Sequence, residues 1–239
     1  MQYQLVRSKR KSISLQVVAG EVLVRAPLLT PLSFIQTLLS NKAAWIDNKV
    51  NQQLAAKVTQ NQLNENGQLW FQGTCYPLVV CYGNKSSVTI NENSIVINVR
   101  KRATQYENSL GTLATPNTTS PERIKKALSL WLKQQAEAYL VTRTHYYSQQ
   151  MKLVPTSINI RQYKARWGSC NNLGQIQLNY LLMMAPNWVS DYVIVHELCH
   201  LTHLNHSKQF WLLVEQHYPN FRLAKQWLKE HQQQLVWRI

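Results

Sequence analysis

Four of the seven histidines fall between positions 196 and 206, in the run Val195-His196-Glu197-Leu198-Cys199-His200-Leu201-Thr202-His203-Leu204-Asn205-His206. The residues ahead of them, Trp188, Val189, Tyr192 and Val193, and Leu198 within the run recur with an apolar helical period, which predicts a helix from about Asn187. With about 3.6 residues per turn, such a helix stacks His196 and His200 on one face, where both imidazoles reach a common point. Glu197 lies about 100° round the axis, near enough to touch whatever the histidines hold but poorly aimed to hold it too. His203 shares the histidine face but sits about 10 Å along an unbroken helix from His196. His206 comes back within reach if the chain turns. Asn205 can take the left-handed conformation that ends helices, and Ser207 can cap a following helix from Lys208.

Two imidazoles one turn apart, a third after a turn and a carboxylate beside them form the donor set of a catalytic Zn2+ site, which takes three protein ligands and keeps a position open. The sequence therefore reads as a zinc-dependent hydrolase with His196, His200 and His206 as metal ligands, His203 as the alternative third ligand, and Glu197 as general base. His-Glu-x-x-His alone arises by chance in roughly one chain per hundred of this length, so the weight lies in its setting. His145, His217 and His231 lack such a setting and read as ordinary surface or core residues. Arg166, Tyr163 and His203 are candidates for stabilising an oxyanion, and the sequence does not choose among them.

Upstream the periodicity changes. Ser12 to Val17 and Glu21 to Arg25 alternate polar and apolar residues around Ala19-Gly20, the pattern of a hairpin. Thr30 as N-cap and Pro31 at the first helical position then open a single helix through Ile35, Leu38, Leu39, Trp45, Ile46 and Val50. Strands are predicted for Gln68 to Gln72, Thr74 to Tyr82, Ser87 to Ile90 and Ser94 to Arg100. Ala103 to Ser120, rich in Thr, Asn and Ser, reads as a surface connection. Beyond it, Ser120-Pro121-Glu122 caps a long helix through Ile124, Leu128, Trp131, Leu132 and Tyr139. Strands at Ser157 to Arg161, Ala165 to Ser169 and Gln175 to Leu181 follow, the last two joined by a turn at Asn171 to Gly174. The fold class is α+β, with a β-rich N-terminal domain carrying an inserted helix (1–112) and a catalytic domain (120–239).

Composition narrows the setting. The start of the chain shows no basic flank followed by an apolar run, and no apolar stretch approaches the roughly 20 residues of a membrane span, so a cytoplasmic protein with no membrane association is expected. Cys75, Cys81, Cys170 and Cys199 form no Cys-x-x-Cys pair and read as small buried hydrophobes in a reducing compartment. Lys plus Arg number 26 against 11 Asp plus Glu, a formal +15 that favours polyanionic partners such as nucleic acid or nucleotides.

Several motifs together resemble the YgjP-like metallopeptidase family, kin of the SprT-like proteins within the zincin group. They are Arg166-Trp167-Gly168-Ser169-Cys170, Gly174-x-Ile176-x-Leu178-Asn179, Asp191-Tyr192-Val193-Ile194-Val195-His196-Glu197-Leu198-Cys199-His200, and Asn205-His206-Ser207-x-x-Phe210-Trp211. Ile13 to Pro27 and Trp45-Ile46 extend the likeness over most of the chain. The resemblance implies a zincin-like catalytic half in which a small sheet lies over the metal helix, with zinc on His196, His200 and His206 and a protein or peptide as substrate. It also implies two readings for Trp167-Gly168: an edge strand that binds an extended peptide, or core filling and close packing. Phe210 and Trp211 read as core. Nucleotide pyrophosphohydrolysis is the alternative that the family and the basic charge bring forward, although no Gly-rich phosphate loop is present among seven glycines. A nucleic-acid-associated module with a structural zinc is the non-enzymatic alternative, which the carboxylate of Glu197 argues against.

Overall fold

The computed structural model describes residues 2–18, 20–58, 67–100, 121–163 and 166–235. Among these the chain is α+β, with three small sheets and six α-helices. It divides into two compact units, Met1–Gln60 and Asn61–Ile239, each with its own core. No helix of the described residues is long and apolar enough to cross a membrane.

In the first unit, β1 (Tyr3–Ser8), β2 (Ser14–Val18) and β3 (Glu21–Pro27) form a sheet of order β1-β3-β2. The expected β2–β3 hairpin is present and antiparallel, with Val17 opposite Val22, while β1 joins β3 in parallel. Alternation puts Val22, Val24 and Ala26 inward, against Ile35, Leu39 and Ile46 from the helices. The single helix expected here is two, α1 (Leu32–Asn41) and α2 (Ala43–Val58). The break falls at Lys42, whose N–H donates to both Leu38 O and Leu39 O before the helix resumes. The cap is also one residue later than expected: Pro31 itself is the extended N-cap residue, and α1 begins at Leu32.

The second unit begins with a sheet of order β4-β5-β7-β6, made of β4 (Gln68–Phe71), β5 (Thr74–Gly83), β6 (Ser87–Ile90) and β7 (Ile95–Arg100). Its inward residues Leu69, Leu78, Ile95, Ile97 and Val99 share one core with α3 (Pro121–Met151) and the metal helix described below. These strands, which the sequence reading groups with the N-terminal region, thus pack in the unit that carries the histidine run. The expected connection at 103–120 lies outside the described residues.

A second sheet, order β8-β10-β9, comprises β8 (Ser157–Arg161), β9 (Gly168–Cys170) and β10 (Gln175–Asn179). The β9–β10 turn is held by Asn171, whose Oδ1 accepts from the N–H groups of Leu173 and Gln175, and by Gly174 at φ 72°. Where a strand to Leu181 was expected, β10 stops at Asn179 and a buried 3-10 turn, Tyr180–Met184, follows. Then come α4 (Asn187–Cys199), α5 (Lys208–His217) and α6 (Phe221–His231).

Two contacts fix α4. The β4–β5 turn docks on the segment leading into it: the N–H groups of Gln72 and Gly73 donate to the carbonyls of Met183 and Met184, and a Cβ on Gly73 would meet Pro186 Cγ at 2.7 Å. Gly73 also has φ 83°, so both space and backbone demand glycine. On the α3 side, Asp191 of α4 accepts a two-pronged bond from Arg143, at 2.9 and 2.6 Å, and a third from the Tyr147 hydroxyl at 3.2 Å.

Candidate metal centre

Helix α4 is buried on almost every side, which holds its last turn rigidly. His196 stands in that turn and His200 at the C-cap. The chain then leaves the helix earlier than the sequence suggests. Leu201 and Thr202 make tight i to i−3 bonds to Leu198 and Cys199, so the helix winds down from Cys199 rather than running on to Asn205. Asn205 does not have the left-handed backbone expected of it; among the described non-glycine residues, only Gln72 and Lys152 have positive φ. The reversal comes from the tight turns instead. Ser207 then caps α5 as expected, its Oγ accepting from the Phe210 N–H at 3.3 Å.

This turn brings His206 back beside α4. The ligand atoms of His196, His200 and His206 all lie within 4.8 Å of one another, and Nε2 of His196 faces Nε2 of His206 at 3.0 Å. His200 Nδ1 lies 2.9 Å from the carbonyl oxygen of His203. A carbonyl only accepts, so His200 carries a proton on Nδ1, which leaves Nε2 as the ring nitrogen available to a metal. His203 thus enters the site through its main chain rather than its ring, a contribution sequence spacing could not reveal.

Aromatic packing supports the cluster. Phe210 is fully buried, as expected of a core residue, and stacks on His200 with centroids 4.6 Å apart. Trp211, expected as core, is only partly buried: it stacks on His206 at 5.6 Å and on Phe221 at 5.3 Å. Lys225 Nζ sits 4.4 Å over the Trp211 ring. Burial, reinforced by His200, His206 and Lys225, pulls the His196 pKa down to about 3, and burial lowers His206 as well. His196 is therefore neutral at physiological pH, the protonation state that binds metal. Its Nδ1 is buried without a hydrogen-bond partner.

Glu197, one residue further round α4 from His196, is 5% exposed. Its wall is β9: a Cβ on Gly168 would meet Glu197 Oε1 at 2.6 Å and Cγ at 2.7 Å. Gly168 therefore permits the strand to lie directly on the carboxylate, while Trp167 packs partly buried against the core. Burial drives the Glu197 pKa up to about 8, opposed by the positive charge of Arg166. Of the other oxyanion candidates, the Tyr163 hydroxyl donates to Gln177 Oε1 and pairs with Ser169 Oγ at 3.3 Å. The cysteines are free, but only Cys199 is buried; Cys75 is exposed and Cys81 and Cys170 are intermediate, so three of the four depart from the core role expected of them.

A family model described as YgjP-like, metallopeptidase domain, matches residues 11–231. The chain belongs to the YgjP-like metallopeptidase family. Membership makes it a metal-dependent hydrolase, and the match takes in both compact units. The three-histidine cluster lies inside the matched span and fits a metal by its chemistry: three imidazoles, His200 oriented by a carbonyl, His196 kept neutral by burial and the more exposed His206 shifted in the same direction. Among solved structures, the metallopeptidase zymogen of Pyrococcus abyssi, abylysin, is 20% identical over 41% of this chain and 99% of its own, with a TM-score of 0.36, too slight a likeness for inference. No curated protein matches the chain.

Proposed function

We propose that this protein is a zinc-dependent metallopeptidase with a zincin-like catalytic half, in which His196, His200 and His206 hold the metal and Glu197 is the general base. The observation that carries the reading is the convergence of three imidazoles on one point, with a buried carboxylate on the adjoining residue. Zinc bound there supplies Lewis acidity, acidifying water and polarising the scissile carbonyl. Glu197 takes the proton from the attacking water and returns it to the departing amine. Burial raises its pKa in the metal-free site, and a cation bound beside it would favour the ionised carboxylate that accepts the proton. Arg166, whose charge is felt at Glu197, is the favoured side chain for stabilising the oxyanion.

Strand β9 supplies the substrate platform. It lies at the edge of the β8-β10-β9 sheet and backs directly onto Glu197, so an extended peptide pairing with its outer edge would lie beside the base. The nucleotide reading rests on the family resemblance and the +15 charge and the nucleic-acid reading on the charge, neither on the geometry of the site, and a cytoplasmic location suits the free cysteines.

The test is metal content together with turnover of an unfolded protein substrate. The purified protein should hold about one zinc per chain, and His196→Ala or His200→Ala should remove it along with activity. Glu197→Gln should keep the metal and lose turnover by about 100-fold or more. Full zinc occupancy in both histidine variants would refute the ligand assignment, and unchanged turnover in Glu197→Gln would exclude the base.

A further inference from the structure

Asn179 is a polar residue in an apolar stretch. It is 2% exposed and lies between buried Leu178 and the buried 3-10 turn Tyr180–Met184. Buried amides persist where their hydrogen-bonding groups are satisfied, and those of Asn179 are. Its Oδ1 accepts from the Leu181 N–H at 3.2 Å. Its Nδ2 donates to the Tyr163 and Arg166 carbonyls, each at 3.1 Å. Its main-chain N–H donates to the Trp167 carbonyl at 2.8 Å. Three of these four bonds go to residues just ahead of β9: Tyr163, Arg166 and Trp167.

That segment needs such a clamp. The β9–β10 register runs from Cys170 to Gly168; beyond it the Asn179 main chain still bonds the Trp167 carbonyl, and the Arg166 and Tyr163 carbonyls are left to the Asn179 side chain. Leu178 opposes Gly168, and Asn179 is the next residue along β10. Gly168 in turn is the wall against which the Glu197 carboxylate rests. A chain of direct contacts therefore runs from Asn179 through residues 166–168 to the carboxylate, while Asn179 itself has no hydrogen bond to any metal-cluster histidine.

We infer that Asn179 is a positioning residue: its amide holds the Tyr163 and Arg166 main chain in place, so that Gly168 fixes the Glu197 carboxylate beside the histidine cluster. Beyond the role of Glu197, on which it rests, the inference assigns a function to the Leu178-Asn179 end of β10. Losing the amide leaves two carbonyls and the Leu181 N–H without their partners and lets the wall behind the base move. Small displacements of a catalytic group are expensive, of the order of 100-fold in rate for about 1 Å.

The test uses the full-length protein with Asn179→Ala, and with Asn179→Asp, which keeps the acceptor and removes the Nδ2 donor. Amide hydrogen exchange read by mass spectrometry should show the 163–170 segment exchanging about 10-fold faster or more, with α4 protected as in wild type and zinc content unchanged. On an unfolded protein substrate, kcat should fall about 10-fold or more with KM within about twofold. The same substitutions in a Glu197→Asp background, where the shortened carboxylate no longer rests on Gly168, should cost less than about threefold. An unloosened 163–170 segment overturns the proposal, as does equal loss in both backgrounds, the signature of a general structural defect. If wild type turns over no peptide, the peptidase reading fails, and the exchange comparison still decides whether Asn179 holds the segment.

Discussion

At the residue scale, the site joins groups with opposite electrostatic needs. His196 is kept neutral by burial, while burial holds the Glu197 carboxyl protonated until about pH 8. The second shift predicts how the metal-free protein responds to pH. An unfolded glutamate ionises near 4.5, and the folded one resists to about 8, so the folded state binds the extra proton throughout that interval. The stabilising contribution is full below pH 4.5 and is lost as pH rises through about 8. Glu197→Gln has no such proton to lose. Thermal unfolding of the two metal-free proteins should show wild type losing ground to the variant from pH 4.5 to about 8, then a constant gap. A gap that does not change with pH would mean that Glu197 is better solvated than its 5% exposure indicates.

At the scale of elements, the turn between α4 and α5 decides which histidine ring joins His196 and His200, the proposed third ligand. His203 offers its carbonyl to His200, and any residue but one that distorts the turn supplies the same carbonyl. His206 offers its ring to the cluster. His206→Ala should therefore weaken zinc binding at least about 100-fold more than His203→Ala, as measured by competition with a chelator. Comparable losses would give the His203 ring a direct role. The sequence reading brings His206 back by a helix stop at a left-handed Asn205; the His206 ring does lie beside His196 and His200, but the helix has already unwound at Cys199 and Asn205 is not left-handed. Elements with strong local periodicity, such as the β2–β3 hairpin and α3, read clearly. The parallel pairing of β1, the break at Lys42 and the end of β10 did not, because each is set by a partner distant in sequence or by competing backbone bonds. The closeness of Gly168 to Glu197 was similarly hidden, since a glycine in a strand has many uses and only the packed structure selects one.

At the scale of the whole molecule, the two cores divide the chain at 60/61, and the residues of the metal site all lie in the second unit. A protein comprising residues 61–239 should therefore fold cooperatively and bind about one zinc, checked by calorimetry and metal analysis. Failure to fold would show that the second unit depends on the first. Within that unit the order of the residues has a consequence for the living chain. Synthesis runs from the N-terminus, and the core partners of the first unit, among the described residues, are all made by position 50. The third histidine is not made until position 206. A nascent chain can thus complete one core early while remaining unable to close its histidine cluster, so on the proposed reading the capacity to cut is withheld until nearly the whole polypeptide exists.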